Sequence, residues 1–306
     1  MAVPDRLRQV AVIGNGIMGH GITQVFASAG NQVVMIGRDE GSLRAATTRI
    51  HASLRLFQQH GLLSQAEADA ALARVSVSTQ LADATGAELI VEAVPEDTEL
   101  KLSLFGELDR ICPPPAVLAS SSGRPASSLV ERVTNRQRVI ATHFWNPAQL
   151  LPLVEVCAGP DTDPDVTEWT VAQLREAGKA PVVLAREIDG FIGNRLQFAL
   201  LREALALWSE GVASAEAIDT AVKASFGRRL SVTGPLESAQ VGGIQTMYEF
   251  SRFLFPGLNT STEPPRQMLD GLYQWPEHVR ESLVSARYEE LFRQLAKSRP
   301  IVETGT

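Results

Sequence analysis

The chain has 306 residues, of which 44% are hydrophobic and 21% charged, and it carries a formal net charge of −7. This length suits about two globular domains, each able to bury its own core. The acidic balance argues against a general nucleic-acid or anionic-membrane binder. Two cysteines, Cys112 and Cys157, lie far apart and suggest neither a disulfide framework nor a zinc site, and no metal is expected. No apolar run reaches transmembrane length, and the first strand begins too early to leave room for a signal peptide, so a cytoplasmic protein is expected.

Val10–Ile13 is an apolar run that ends in Gly14-Asn15-Gly16-Ile17-Met18-Gly19, and a helical pattern follows. Gly14 permits a tight turn, Gly16 allows close backbone approach, and Gly19 lets helix and strand pack together. Free N–H groups on this turn, around Ile17 and Met18, would hold a pyrophosphate at the helix N-terminus. A second strand, Gln32–Ile36, completes the context that a dinucleotide site requires. Further apolar runs predict strands at Leu89–Val94, Ala116–Ala119, Arg138–Thr142, Leu151–Cys157 and Ala180–Ala185. Between Asp39 and Thr79 the pattern is polar and helical, long enough for a helical hairpin at about residues 40–78. Beyond Gly190 strand signals nearly vanish, and Phe191–Gly211 reads as one long helix. The expected fold is α/β, a Rossmann-type doubly wound and mainly parallel sheet, with a second, all-helical C-terminal domain. The expected division is 1–185 for the first domain and 186–306 for the second.

His143 sits just past the predicted strand Arg138–Thr142, on the sheet edge where open α/β proteins bind ligands. Glu155 lies inside the apolar run Leu151–Cys157, where an unpaired carboxylate is costly. Paired, the two would form a general base with its orienting carboxylate. Spacing alone leaves a purely structural pair equally open. No Gly-x-Ser-x-Gly elbow and no phosphate-loop lysine are present, so hydrolase and kinase readings lack support.

Gly14-x-Gly16-x-x-Gly19, Val91-Glu92-Ala93-Val94-Pro95-Glu96, His143-Phe144-Trp145-Asn146-Pro147, Leu153-Val154-Glu155-Val156 and Gly190-Phe191-Ile192-Gly193-Asn194-Arg195 occur in this order. Together they resemble the 3-hydroxyacyl-CoA dehydrogenase family, over nearly the whole chain. The resemblance implies that His143 takes a hydroxyl proton while Glu155 fixes its ring. It implies that Ser122 and Asn194 hydrogen-bond the substrate oxygen and that Asn146 lines the site. On the cofactor side it implies the glycine turn with Ala93, Glu96, Lys101 and Ser121. The reaction implied is reversible oxidation of a secondary alcohol beta to a carboxylate or thioester. Separately, the apolar richness of the short helical C-terminal part (Phe250, Phe253, Leu254, Phe255, Leu269, Leu272) predicts a homodimer joined through that domain.

Three departures refine this. Gly37 and Arg38 stand where the family ends its second strand in an acid, with Asp39 the next carboxylate. That substitution points to NADP through Arg38, while the family points to NAD, and the choice stays open. CoA-using members place lysines where this chain has Gln58, Gln59 and His60. A small free 3-hydroxy acid is therefore the expected substrate, with Arg124 a candidate carboxylate donor. The alternatives are a 3-hydroxybutyryl-CoA dehydrogenase of fatty-acid metabolism and a catalytically silent, cofactor-binding structural protein. Gln240 and Gln245 replace aspartates usual in the family, and no role for them is evident.

Overall fold

The computed structural model describes residues 3–298. The chain divides into two compact units. One comprises the residues up to Phe191 together with the chain from Leu283 onward; the other is Ile192–Ser282.

The first unit is built on an eight-stranded sheet, in the order β3-β2-β1-β4-β5-β6-β7-β8. Its strands are β1 (Gln9–Ile13), β2 (Gln32–Ile36), β3 (Val75–Ser78), β4 (Leu89–Glu92), β5 (Val117–Ser120), β6 (Val139–Phe144), β7 (Leu153–Ala158) and β8 (Ala180–Leu184). Helices α1 (Gly19–Ser28), α2 (Glu40–Gln59), α3 (Gln65–Ala73), α4 (Thr98–Ile111) and α5 (Pro164–Glu176) connect them. Successive residues of β1 point to opposite faces. Val10 and Val12 join one apolar core with Ile22 and Phe26, while Ala11 and Ile13 join another with Phe105 and Leu118. Both faces are therefore covered, as a buried parallel sheet requires. All pairings are parallel except β6 with β7. The short Asn146–Pro147 loop reverses the chain there instead of crossing over through a helix.

Helix starts follow the local chemistry. Asp39 caps α2 through Ser42 N, Asp97 caps α4 through Leu100 N, and Ser64 forms a capping box with Glu67 at α3. The predicted hairpin is present as α2 and α3, but its last residues form the edge strand β3, a correction to the sequence reading. Val75-Ser76-Val77-Ser78 alternates over only four residues, and its partly exposed edge position gives a weak apolar signal.

The second unit contains α6 (Gly193–Ser209), α7 (Ala215–Ala224), α8 (Pro235–Val241) and α9 (Ile244–Leu254), with no strand. Helix α10 (Glu277–Ser298) starts within it and carries the chain back to the first unit. There Phe292 is buried with Phe57, Leu62 and Leu150, flanked by Tyr288, Leu291 and Leu295. Among the described residues, no helix is long and apolar enough to cross a membrane. No group of three or more His, Cys, Asp or Glu that could hold a metal ion occurs among them either.

Candidate active site

The turn between β1 and α1 is fixed by close backbone contacts. Gly14 has φ +106°, and a Cβ there would lie 2.5 Å from the Ala93 carbonyl oxygen. A Cβ on Gly19 would lie 1.8 Å from the Gly14 oxygen, so both positions exclude side chains. Gly16 is different: a Cβ would meet nothing within 4 Å, which leaves open space over the helix N-terminus. Two side chains grip the turn by its carbonyls. His20 Nδ1 lies 2.8 Å from the Gly16 oxygen, and Arg49 donates to the Asn15 oxygen at 2.8 Å. Burial holds the His20 ring below its ordinary pKa; the bond to Gly16 opposes this and the Arg49 charge adds to it. The fixed turn and the space above Gly16 fit a dinucleotide pyrophosphate. Ile17 is exposed and Met18 half-buried beside it.

Beside this turn, the ends of β4 and β5 carry a buried polar network. Glu92 is fully buried and accepts from Lys101 Nζ at 3.0 Å, Ser120 Oγ at 2.6 Å and Val94 N at 2.8 Å. Lys101 Nζ also reaches Glu96 at 3.4 Å, and Glu96 accepts from Ser122 Oγ at 3.0 Å and faces Arg124 Nε at 3.4 Å. Ser120 Oγ accepts from Ser122 N at 3.2 Å, and Ser121 N donates to the Glu92 carbonyl at 2.8 Å. Lys101 is only 1% exposed, and its ammonium faces the carboxylates of Glu92 and Glu96. Arg124 is held by Glu96 and by Thr98 Oγ1 at 2.8 Å.

Antiparallel pairing sets the third part. His143 and Glu155 are register partners on β6 and β7, so their side chains emerge on one face. His143 Nδ1 lies 2.8 Å from Glu155 Oε2, and Glu155 is 1% exposed. A carboxylate only accepts, so Nδ1 carries the proton and Nε2 is left with a lone pair. Trp145 Nε1 donates to the same Glu155 oxygen at 3.2 Å. Trp145 and Phe191 pack edge-on against the His143 ring, at 5.7 and 5.8 Å between centroids. Phe191 has φ +48°, uncommon for a bulky residue, and the adjacent Gly190 N bonds the Gly123 oxygen at 3.1 Å. That bond ties the Phe191 turn to the Ser122 loop. Behind the site, Lys179 donates to the Ala148 and Leu151 carbonyls, bracing the loop after β6. Burial lowers its pKa from 10.5 to about 8.

A half-buried histidine oriented by a carboxylate, in the same sheet as a dinucleotide turn, is an arrangement suited to alcohol oxidation. Residues 9–188 match the NAD binding domain of 3-hydroxyacyl-CoA dehydrogenase, and residues 190–286 match its C-terminal domain. The chain belongs to the 3-hydroxyacyl-CoA dehydrogenase family. It is 34% identical to a probable 3-hydroxybutyryl-CoA dehydrogenase of Bacillus subtilis over 264 residues, 86% of this chain and 91% of that one. Lambda-crystallin of Oryctolagus cuniculus is 35% identical over 232 residues, 75% of this chain and 73% of that one. Among solved structures, a 5-formyl-3-hydroxy-2-methylpyridine 4-carboxylic acid 5-dehydrogenase, described as an NAD+-dependent dismutase, superposes with a TM-score of 0.88. It is 26% identical, and the match covers 96% of this chain and all of that one.

Within this 3-hydroxyacyl-CoA dehydrogenase family chain, the remaining expected residues fall as follows. Arg38 is exposed just after β2, while Asp39 is engaged as the α2 cap. Asn146 is exposed on the loop after His143, with a cis bond to Pro147. Asn194 opens α6 in the second unit, half-buried. Gln240 lies on α8, and Gln245 on α9 bonds Glu249 at 3.1 Å. Sequence reasoning missed Glu92, Ser120, Trp145, Phe191 and Lys179. A charge inside Leu89-Ile90-Val91-Glu92 is the same signal that marked Glu155, and could have found Glu92.

Proposed function

We propose that this chain reversibly oxidises the secondary hydroxyl of a small free 3-hydroxy acid, with a nicotinamide dinucleotide as oxidant. The observation that carries the substrate class is the end of α2. Gln58 and Gln59 are uncharged, and His60 stacks on Phe292 at 4.2 Å with its Nε2 3.6 Å from Glu289. Arg55, exposed four residues before Gln59, is the one firm cation of the stretch from Ser53 to His60, against the several phosphate charges of a CoA chain. The high similarity to a pyridine-carboxylate dehydrogenase supports the same reading.

When bound, the dinucleotide supplies a hydride acceptor. His143 Nε2 takes the hydroxyl proton, and the imidazolium that forms is stabilised by Glu155, whose hydrogen bond to Nδ1–H becomes an ion pair. Trp145 holds the second lobe of that carboxylate interaction, so the ring keeps its plane. Ser122 hydrogen-bonds the substrate oxygen. Ser122 is pre-aligned by Glu96, by its own N–H on Ser120 and by the Arg124 N–H on its hydroxyl. Arg124 is a candidate partner for the substrate carboxylate.

The test compares catalytic efficiency for a panel of free 3-hydroxy acids with that for 3-hydroxybutyryl-CoA over one salt series. Preference for a free acid is the expected result. A strong preference for the thioester would make the CoA reading primary, and no turnover with any would favour a structural protein.

A further inference from the structure

The end of β2 lacks the carboxylate that would hold the adenosine ribose, yet the space it would fill is not vacant. A Cβ on Gly37 would lie 2.9 Å from Asn15 Cγ and 3.0 Å from Asn15 Nδ2. Leu43 Cδ2 lies equally close, at 2.9 Å, so the Asn15 amide and the Leu43 side chain together crowd that position. Its Nδ2 is buried and has no hydrogen-bond partner. A buried donor without a partner is rare and calls for an explanation, such as a bound ligand. The backbone oxygen of Asn15 accepts from Arg49 at 2.8 Å, which places a guanidinium beside the turn. Arg49 makes no other hydrogen bond or ion pair among the described residues, so most of its five N–H donors remain available. Arg38 is also exposed and in no ion pair.

The nearby acceptors are already engaged. Asp39 takes Ser42 N at 2.8 Å and Ser42 Oγ at 2.9 Å, and Glu40 pairs with Arg44 at 3.2 Å. Asp39 and Glu40 are thus committed to the start of α2, while Arg38, Arg49 and the Asn15 amide bring donors to this corner. A ribose diol is best held by an acceptor such as a carboxylate, whereas a phosphate monoester calls for donors and positive charge.

We infer that Asn15 and Arg49, with Arg38, form the specificity pocket for the adenosine end of the cofactor and select a 2′-phosphorylated dinucleotide. This rests on the dinucleotide-dependent reading above. Arg49 would supply N–H donors and positive charge to the phosphate, and the Asn15 amide would donate to an ester or phosphate oxygen. A side chain on Gly37 would have to displace the Asn15 amide and the Leu43 methyl, each 2.9 Å from its Cβ.

The test is calorimetric titration of the purified full chain with NADPH, NADH, 2′,5′-ADP and 5′-ADP, without turnover. Wild type is expected to bind NADPH roughly tenfold or more tighter than NADH, and 2′,5′-ADP likewise over 5′-ADP. Arg49→Ala should remove most of that difference, weakening NADPH far more than NADH, and Arg49→Lys should keep part of it. Asn15→Ala should act in the same direction. The double change Asn15→Gly with Gly37→Asp should shift preference toward NADH, because it restores a carboxylate and removes the amide, so that only Leu43 Cδ2, 2.9 Å from the new Cβ, has to give way. Equal losses for both dinucleotides in Arg49→Ala, or a wild type that prefers NADH, would overturn the inference and leave the dinucleotide reading intact. A folded protein that binds none of the four would overturn both.

Discussion

His143 and Glu155 face each other because an antiparallel pair puts register partners on one side of the sheet. His143→Gln is expected to lower turnover about 10²–10⁴-fold, with dinucleotide affinity retained in the same titrations. Glu155→Gln should lose less, since it removes an orienting partner and not the base. Unchanged turnover in a His143→Gln protein that still binds dinucleotide would refute the assignment. Lys179 gives a second test at this scale. Its folded pKa, lowered to about 8 by burial, lies below the unfolded 10.5, so the folded state releases its proton first. Its contribution to stability is fully present above 10.5 and is lost as pH falls through about 8. Urea unfolding of wild type and Lys179→Met should therefore diverge in favour of wild type as pH rises from 8 to 10. A difference independent of pH would contradict this. Glycines and the His143–Glu155 pair were legible in the sequence because turn chemistry and buried charge are local signals. Glu92 with Lys101 was not read as a pair, because a strand end and a helix bring the two together. Lys179 reads as one basic residue after a helix, and nothing local shows that it braces the loop behind His143.

At the scale of elements, strands with four apolar residues in a row and helices with clear caps were readable, but edges were not. β3 was absorbed into the hairpin, and the antiparallel direction of β7 depends on a short loop whose geometry no periodicity reveals. The C-terminal helix α10 shows the same limit. Nothing local on it singles out Phe292, which is 2% exposed against Phe57, with ring centroids 5.3 Å apart. Phe292→Ala should destabilise the protein by about 3–5 kcal/mol, the usual cost of emptying a large aromatic site. Chemical denaturation measures this, and a loss below about 1 kcal/mol would mean that the helix docks loosely. A Lys101→Met change is the matching test for the strand ends. It strands Glu92 as a buried charge and should cost about 3–5 kcal/mol in the same assay.

For the whole molecule, the composition of Ile192–Ser282 predicts association. Within that unit Val232, Phe253 and Leu269 are each 80% or more exposed, and Phe250, Leu254 and Phe255 lie open as well. Apolar area on this scale marks an interaction surface, and a self-complementary one closes most simply as a two-fold dimer. Light scattering at micromolar concentration should give twice the chain mass, and a monomer would contradict this. The change of character near residue 186 was visible in the sequence, as strand signals gave way to helical ones. The chain from Leu283 onward was assigned to the helical part, although it belongs with the sheet. Helical periodicity reports what an element is, and carries no information about which body it completes.

That return has a consequence for biogenesis. The sheet is finished by Leu184, but the pocket around Phe57, Leu62 and Leu150 is filled only by Phe292. On a ribosome, the whole of Ile192–Ser282 must be made before that pocket can close. A nascent chain therefore passes through a stage with an assembled nucleotide fold and an exposed apolar socket, which is the kind of surface that chaperones engage and that aggregates when they do not.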